Sequence, residues 1–323
     1  CAYAILNVPM PFTDPQFGTV GDLMNLFPIG YLRRYALNNT RYSADLTLAQ
    51  STVEKYVLPY PSRLTTDGTF SRTGGCCVTE PVGRSTSSFL WADDQYMGLA
   101  LMARLVPYLP DGEAKPLLKV MAQMQQQFVK HMYDTEGDGL IHHGAFVNET
   151  ESLRSCCKWG RANGWGAMSH MEILTALERY PNHPNRPSVL NSFRAFVDSM
   201  LHFQNHETGR WHQVVNESST FLETSVTAMM TTVLATGIYH GWLSDAYYDA
   251  TRLAWNGLLS QIESNGTVLN VCMGTGIMPN VAGYNGRGRD YWQSSPGGVG
   301  TVLRAAKAMS RLTMMHHQDS VNK

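Results

Sequence analysis

Two stretches carry residue types that could do chemistry. The first is Lys158-Trp159-Gly160-Arg161-Ala162-Asn163-Gly164-Trp165, with two tryptophans and an arginine just ahead of the helical periodicity Met168, Met171, Leu174, Leu177. A guanidinium can pair both oxygens of a carboxylate, and indole faces can cover a ring, so this cluster suits a uronic sugar. A core Trp pair with an Arg running past it is the structural alternative. The second stretch is Phe89-Leu90-Trp91-Ala92-Asp93-Asp94-Gln95-Tyr96-Met97. Adjacent acids raise each other's pKa, and Trp91 and Tyr96 add apolar surroundings, the conditions for a carboxyl that stays protonated long enough to act as a general acid. A simple helix N-cap accounts for one of the two aspartates equally well.

Weaker candidates surround these. Gly21-Asp22-Leu23-Met24-Asn25 places a third acid at a helix start, where capping is again the alternative. His142-His143-Gly144 follows a turn glycine. Neighbouring histidines point apart in an extended chain, so a hydrogen bond to a sugar is expected there and a shared metal is not. Gly274-Thr275-Gly276 and Pro296-Gly297-Gly298 follow no predicted strand and do not read as a nucleotide loop.

These residues must be held by helices. Periodicity predicts helices from Asp22 toward Leu37, through Leu46, Val53 and Val57, and near 89–107, 114–132, 163–179, 187–204, 222–240, 245–262 and 297–315, with almost no strand pattern. Residues 1–19, with Pro9, Pro11 and Pro15, read as an irregular arm, and 20–323 as one domain. Asp67-Gly68, Asp138-Gly139, Thr208-Gly209 and Asn265-Gly266 each precede an apolar or aromatic residue closely. The glycines are 71, 70 and 57 residues apart, roughly the length of a helical hairpin with two connections. Repeated helix pairs could stack as a solenoid or close into a ring. The missing polar caps and the long Gly-, Trp- and His-rich loops favour a closed all-α toroid of six hairpins, (α/α)6.

Composition narrows the partners. At 323 residues, with 16% charged residues and a formal net charge of -1, the chain offers no basic surface for nucleic acid or an anionic membrane. No apolar run approaches the ~20 residues of a spanning helix. The start, Cys1-Ala2-Tyr3-Ala4, reads as a processed end. The sequons at Asn38, Asn148, Asn216 and Asn265, with six cysteines, lead to the expectation of a secreted eukaryotic, in particular fungal, glycoprotein. Cys76-Cys77 and Cys156-Cys157 are adjacent pairs. Bonding within a pair is strained, so cross-pairing between the doublets is expected, with buried free thiols as the alternative.

The chain resembles the unsaturated uronyl hydrolases, glycoside hydrolase families 105 and 88, over about Asp22 to Ala305. Trp159-Gly160-Arg161-Ala162-Asn163-Gly164-Trp165 is similar to the family signature Trp-x-Arg-x-x-Gly-Trp. Trp91-Ala92-Asp93-Asp94-Gln95-Tyr96-Met97 resembles Trp-x-Asp-x-Leu-Tyr-Met, with Gln95 for leucine. The resemblance implies an α/α six-hairpin toroid and Asp93 as catalytic acid/base. Asp22 would be the second aspartate, through Asp-x-x-Asn. Leu140-Ile141-His142-His143-Gly144 is similar to Leu-x-Tyr-His-Gly and makes His143 a substrate contact, although Ala145-Phe146 stand where the family has Trp-Asp. Trp91, Asp94, Trp159, Arg161 and Trp165 would complete the substrate site. Glu223–Met229 and Cys272–Gly276 also resemble family segments. The implied substrate is an unsaturated uronyl oligosaccharide left by a polysaccharide lyase, with no metal or organic cofactor. An inverting glycosidase acting on saturated uronic oligosaccharides and a non-catalytic sugar-binding toroid are the rival expectations.

Overall fold

The computed structural model describes residues 22–59, 64, 67–72, 89–147, 152–287 and 296–321, side chains excepted at 22–27, 56, 152, 296–297 and 319–321. The expected arm at 1–19 and the Cys76-Cys77 pair lie outside the described residues. In chain order the elements are α1 (Asp22–Leu37), α2 (Ser43–Thr52), β1 (Phe89–Trp91), α3 (Asp94–Leu105), α4 (Asp111–Met132), β2 (Gly144–Val147), β3 (Ser152–Arg154), α5 (Gly160–Leu177), α6 (Arg186–His202), β4 (Trp211–His212), β5 (Leu222–Glu223), α7 (Thr224–Tyr239), α8 (Tyr248–Leu259), α9 (Val281–Asn285) and α10 (Thr301–Val321).

The helices sort into two layers by the width of their apolar surface. In α3, α5 and α7 nearly every residue is buried, whereas α4, α6 and α8 bury one stripe. A helix that is apolar all round must be enclosed, and one with a single stripe covers it from outside. Accordingly α1, α3, α5, α7 and α10 pack side by side as an inner layer. On the outside, α2 backs α1, α4 backs α3, α6 backs α5 and α8 backs α7. The far ends of α1, α3, α5 and α7 meet the first half of α10 around one cavity, so these four helices run parallel, with their first turns together at the other end.

Each outer helix is followed by the same turn. Gly68, Gly139, Gly209 and Gly266 all have positive φ, between +71° and +86°. In each turn the side-chain oxygen of the preceding residue (Asp67, Asp138, Thr208, Asn265) accepts a bond from the backbone N–H that follows the glycine. This device returns the chain from the outer layer to the next inner helix.

Two sequence expectations need correction. The helix expected over 89–107 begins as a strand. Phe89–Trp91 pairs antiparallel with Gly144–Val147, which pairs with Ser152–Arg154, and Trp211–His212 pairs with Leu222–Glu223. Strands of two to four residues are too short to show a period of two. Cross-pairing of the cysteine doublets is also not seen: Cys156 bonds to Cys157, while Cys272 is buried and unbonded. Partner choice depends on which sulfurs the loop brings together, which spacing does not reveal.

Candidate active site

The loops that lead into the inner helices are stitched together by backbone bonds. β1 sets Trp91 opposite Gly144, Ala92 N donates to His143 O, and His143 N donates to Cys157 O. Trp159 bridges to Val214, and Gly160 N donates to Gln213 O. Segments far apart in sequence thereby meet at one end of the ring.

Asp93 is the N-cap of α3, its side chain 15% exposed, and its Oδ1 lies 3.8 Å from His143 Nε2. His143 is fully buried, and burial, then the charge of Arg72, lowers its pKa to about 3. It is therefore neutral near pH 7. Trp91 Nε1 lies 2.7 Å from His143 Nε2, and an indole N–H can only donate, so Nε2 accepts. The ring proton then sits on Nδ1 and is donated to Tyr284 Oη at 2.8 Å. Met278 N donates to the same oxygen at 3.1 Å. His143 is thus a neutral wall beside Asp93, with both nitrogens committed to protein.

Asp94 has a different place. It is 2% exposed, and its two oxygens accept from Arg72 Nε (2.8 Å) and Nη2 (2.6 Å). The Arg72 guanidinium lies 3.9 Å from the Trp91 ring centroid. The direct substrate contact expected of Asp94 is replaced by a supporting role: the carboxylate is consumed in holding Arg72 against Trp91.

The tryptophans divide similarly. Trp159 is 2% exposed and packs against His143 at 4.6 Å, so its face is closed to a ligand. Trp165, half-buried, stacks on Tyr96 at 4.8 Å. Arg161 is held along one edge. Nε donates to Ser225 Oγ at 2.8 Å, Nη2 donates to Cys272 O, and Glu223 Oε1 is 3.6 Å from Nη2. Its Nη1 faces Gly274, where even an added Cβ would stay 3.8 Å away. Glu223 is fully buried at the N-cap of α7, accepting from Val226 N, Ser225 Oγ and Cys272 N.

Asp22 opens α1 at the same end of the ring, and its side chain lies outside the described residues. Among the described residues no group of three His, Cys, Asp or Glu could hold a metal ion. Sequence reasoning passed over Tyr284, Arg72 and Gln213, which act only through distant partners. Glu223 did carry a signal, an acid immediately before a long apolar helix, the signature of an N-cap.

The comparisons with known proteins bear on the family and the fold. The profile of Glycosyl Hydrolase Family 88 matches residues 26–313. The chain is similar to the unsaturated rhamnogalacturonyl hydrolase YesR of Bacillus subtilis, 29% identical over 144 residues, which is 45% of this chain and 39% of that protein. Among solved structures, a family 105 glycoside hydrolase of C. acetobutylicum superposes with a TM-score of 0.74 at 19% identity, over 90% of this chain and 79% of that one. An unsaturated glucuronyl hydrolase of Bacillus sp. GL1 gives 0.56 at 13% identity, over 89% and 72%. The architecture is the (α/α)6 toroid of these proteins.

Proposed function

The chain belongs to Glycosyl Hydrolase Family 88, and from that premise we propose that it removes the terminal 4,5-unsaturated uronyl residue from lyase-generated oligosaccharides by hydrating the C4=C5 bond. The observation that carries this reading is the unequal pair Asp93 and Asp94. Asp94 is locked on Arg72, while Asp93, its side chain 15% exposed, stands beside a neutral imidazole. Hydration needs one carboxyl that can give and take a proton. Asp93, protonated, delivers its proton to C4, and the carboxylate then takes one from the water that adds at C5. The resulting hemiketal opens, the former anomeric centre collapses to a carbonyl, and the aglycone leaves as an alcohol.

An inverting glycosidase would need two carboxylates with water between them. That rival would pair Asp93 with Asp22, because Glu223 and Asp94 are both committed to buried hydrogen bonds. In this reading Asp22 orients the ring hydroxyls from the first turn of α1. Trp165 covers the ring, and Arg161 offers Nη1 to the uronate. The substrate is an unsaturated rhamnogalacturonan disaccharide from pectin.

The test is the ultraviolet band of the conjugated alkene. Wild type should abolish it, and Asp93→Asn should slow its loss at least ~100-fold. Persistence of the band with both the rhamnogalacturonyl and an unsaturated glucuronyl disaccharide would sink the proposal. Secretion from a eukaryotic, fungal cell belongs to the same reading. Asn38 and Asn265 are exposed, while the exposed Asn216 donates to Asp138 and Asn148 lies outside the described residues. Enzymatic removal of N-glycans should lower the mass of the protein from its native source, and an unchanged mass would refute glycosylation.

A further inference from the structure

The other end of the inner ring is built of positive charge. The last turns of α1, α3, α5 and α7 and the first half of α10 enclose a cavity of ≈ 370 Å³. Its lining holds five cationic side chains, Arg33, Arg104, Arg304, Lys307 and Arg311, against one carboxylate, Glu172. That carboxylate is already shared. Arg104 Nε donates to Glu172 Oε2 at 3.0 Å, and the Nη2 groups of Arg104 and Arg304 both donate to Oε1. The same two guanidiniums donate to Tyr96 Oη, at 3.2 and 2.8 Å. Arg33, Lys307 and Arg311 are exposed at the cavity and form no ion pair among the described residues.

Crowding among these cations contributes to lowering the pKa of two of them. Arg311 foremost, then burial, then Arg33, Arg304 and Arg104 lower the pKa of Lys307. Burial, then Arg104 and Arg304, lower that of Arg33. Helix C-termini explain part of the cluster, because cations are favoured there. Five cations and one carboxylate leave four positive charges. Four helices end at this cavity, each worth about half a negative charge, which offsets about two of them. About two positive charges remain without a counter-charge.

We propose that this cavity binds a phosphate dianion, held by Arg33, Lys307 and Arg311 at the mouth with Arg104 and Arg304 beneath it. Guanidinium forks match phosphate oxygens bidentately, and the residual charge matches the ligand's. The volume exceeds that of a lone phosphate, so the site has room for a phosphorylated sugar. It lies at the opposite end of the ring from Asp93.

Calorimetric titration of the whole chain with inorganic phosphate, at ionic strength held constant with chloride, tests this. Saturable binding of one phosphate per chain is expected, at least ~10-fold weaker in a Lys307→Gln, Arg311→Gln variant, as for the loss of one well-made charged contact. A hexose phosphate should compete, and tighter binding than phosphate itself would identify the larger ligand. Both substitutions are exposed; if the pair does not fold, Arg33→Gln provides the same comparison. Binding that vanishes at constant ionic strength, or that is equal in wild type and variant, overturns the proposal.

Discussion

Asp93 and Asp94 share a peptide bond, yet their carboxylates meet different surroundings. The helix start leaves one partly exposed beside His143 and turns the other into the protein, onto Arg72. Their amides should therefore separate chemistry from stability. Asp94→Asn takes the charge from a pair whose side chains are 7% and 3% exposed, and is expected to cost about 3 kcal/mol in urea unfolding. Asp93→Asn should change the unfolding free energy by less than ~1 kcal/mol while removing activity. Equal losses of stability in the two variants would contradict this division. The types Asp, Arg, His and Trp were legible as chemistry from spacing alone. Which Asp stays partly exposed, and that Trp159 is walled in while Trp165 is not, depended on neighbours such as Arg72, Tyr284 and Cys272 that no local pattern connects.

At the scale of elements, the recurring turn glycines were readable because a positive φ strongly favours glycine and the preceding Asp, Asn or Thr closes the turn with its own oxygen. The four positions differ in what surrounds them. At Gly209 an added Cβ would lie 2.2 Å from Leu253 O, whereas at Gly266 nothing lies within 4 Å. Gly266→Ala should cost only the left-handed backbone penalty, ~1–2 kcal/mol. Gly209→Ala must also push the turn that follows α6 away from Leu253 of α8 and should cost at least ~3 kcal/mol. Thermal midpoints of the two variants check the order, and a larger fall for Gly266→Ala would refute it. The short strands were not readable, since Phe89-Leu90-Trp91 is apolar in either conformation and only its pairing with Gly144–Val147 decides.

Across the whole molecule, three enclosed groups share one pH dependence. Burial, then Arg72, takes the pKa of His143 from 6.5 to about 3, and burial takes that of His170 to about 4. Between those values and 6.5 the unfolded chain binds the protons that the folded state refuses, so stability is full above about pH 6.5 and declines as pH falls. Glu172 acts in the same direction. Burial opposes its ionisation, but Arg104 and Arg304 prevail and bring its pKa from 4.5 to about 2, so its contribution is lost as pH falls from about 4.5 toward 2. Urea midpoints should therefore fall steadily from pH 7 to pH 4, by an amount on the order of several kcal/mol in unfolding free energy. A flat profile over that range would count against the enclosure of these side chains.

The sequence by itself determined the helical hairpins, their turns and the set of residues able to handle a uronic sugar. Those features rest on periodicity, on the φ that glycine alone adopts readily and on side-chain chemistry, all of which are local. Tertiary structure alone decided the tautomer of His143, the anchoring of Arg161 by Ser225, Cys272 O and Glu223, and the bond between Cys156 and Cys157. It also gathered Arg33, Arg104, Arg304, Lys307 and Arg311 from three helices into one cavity, in a chain whose net charge is only -1. A hydrogen bond or an uncompensated charge is a relation between distant segments, and closing the ring is what brings those segments within reach.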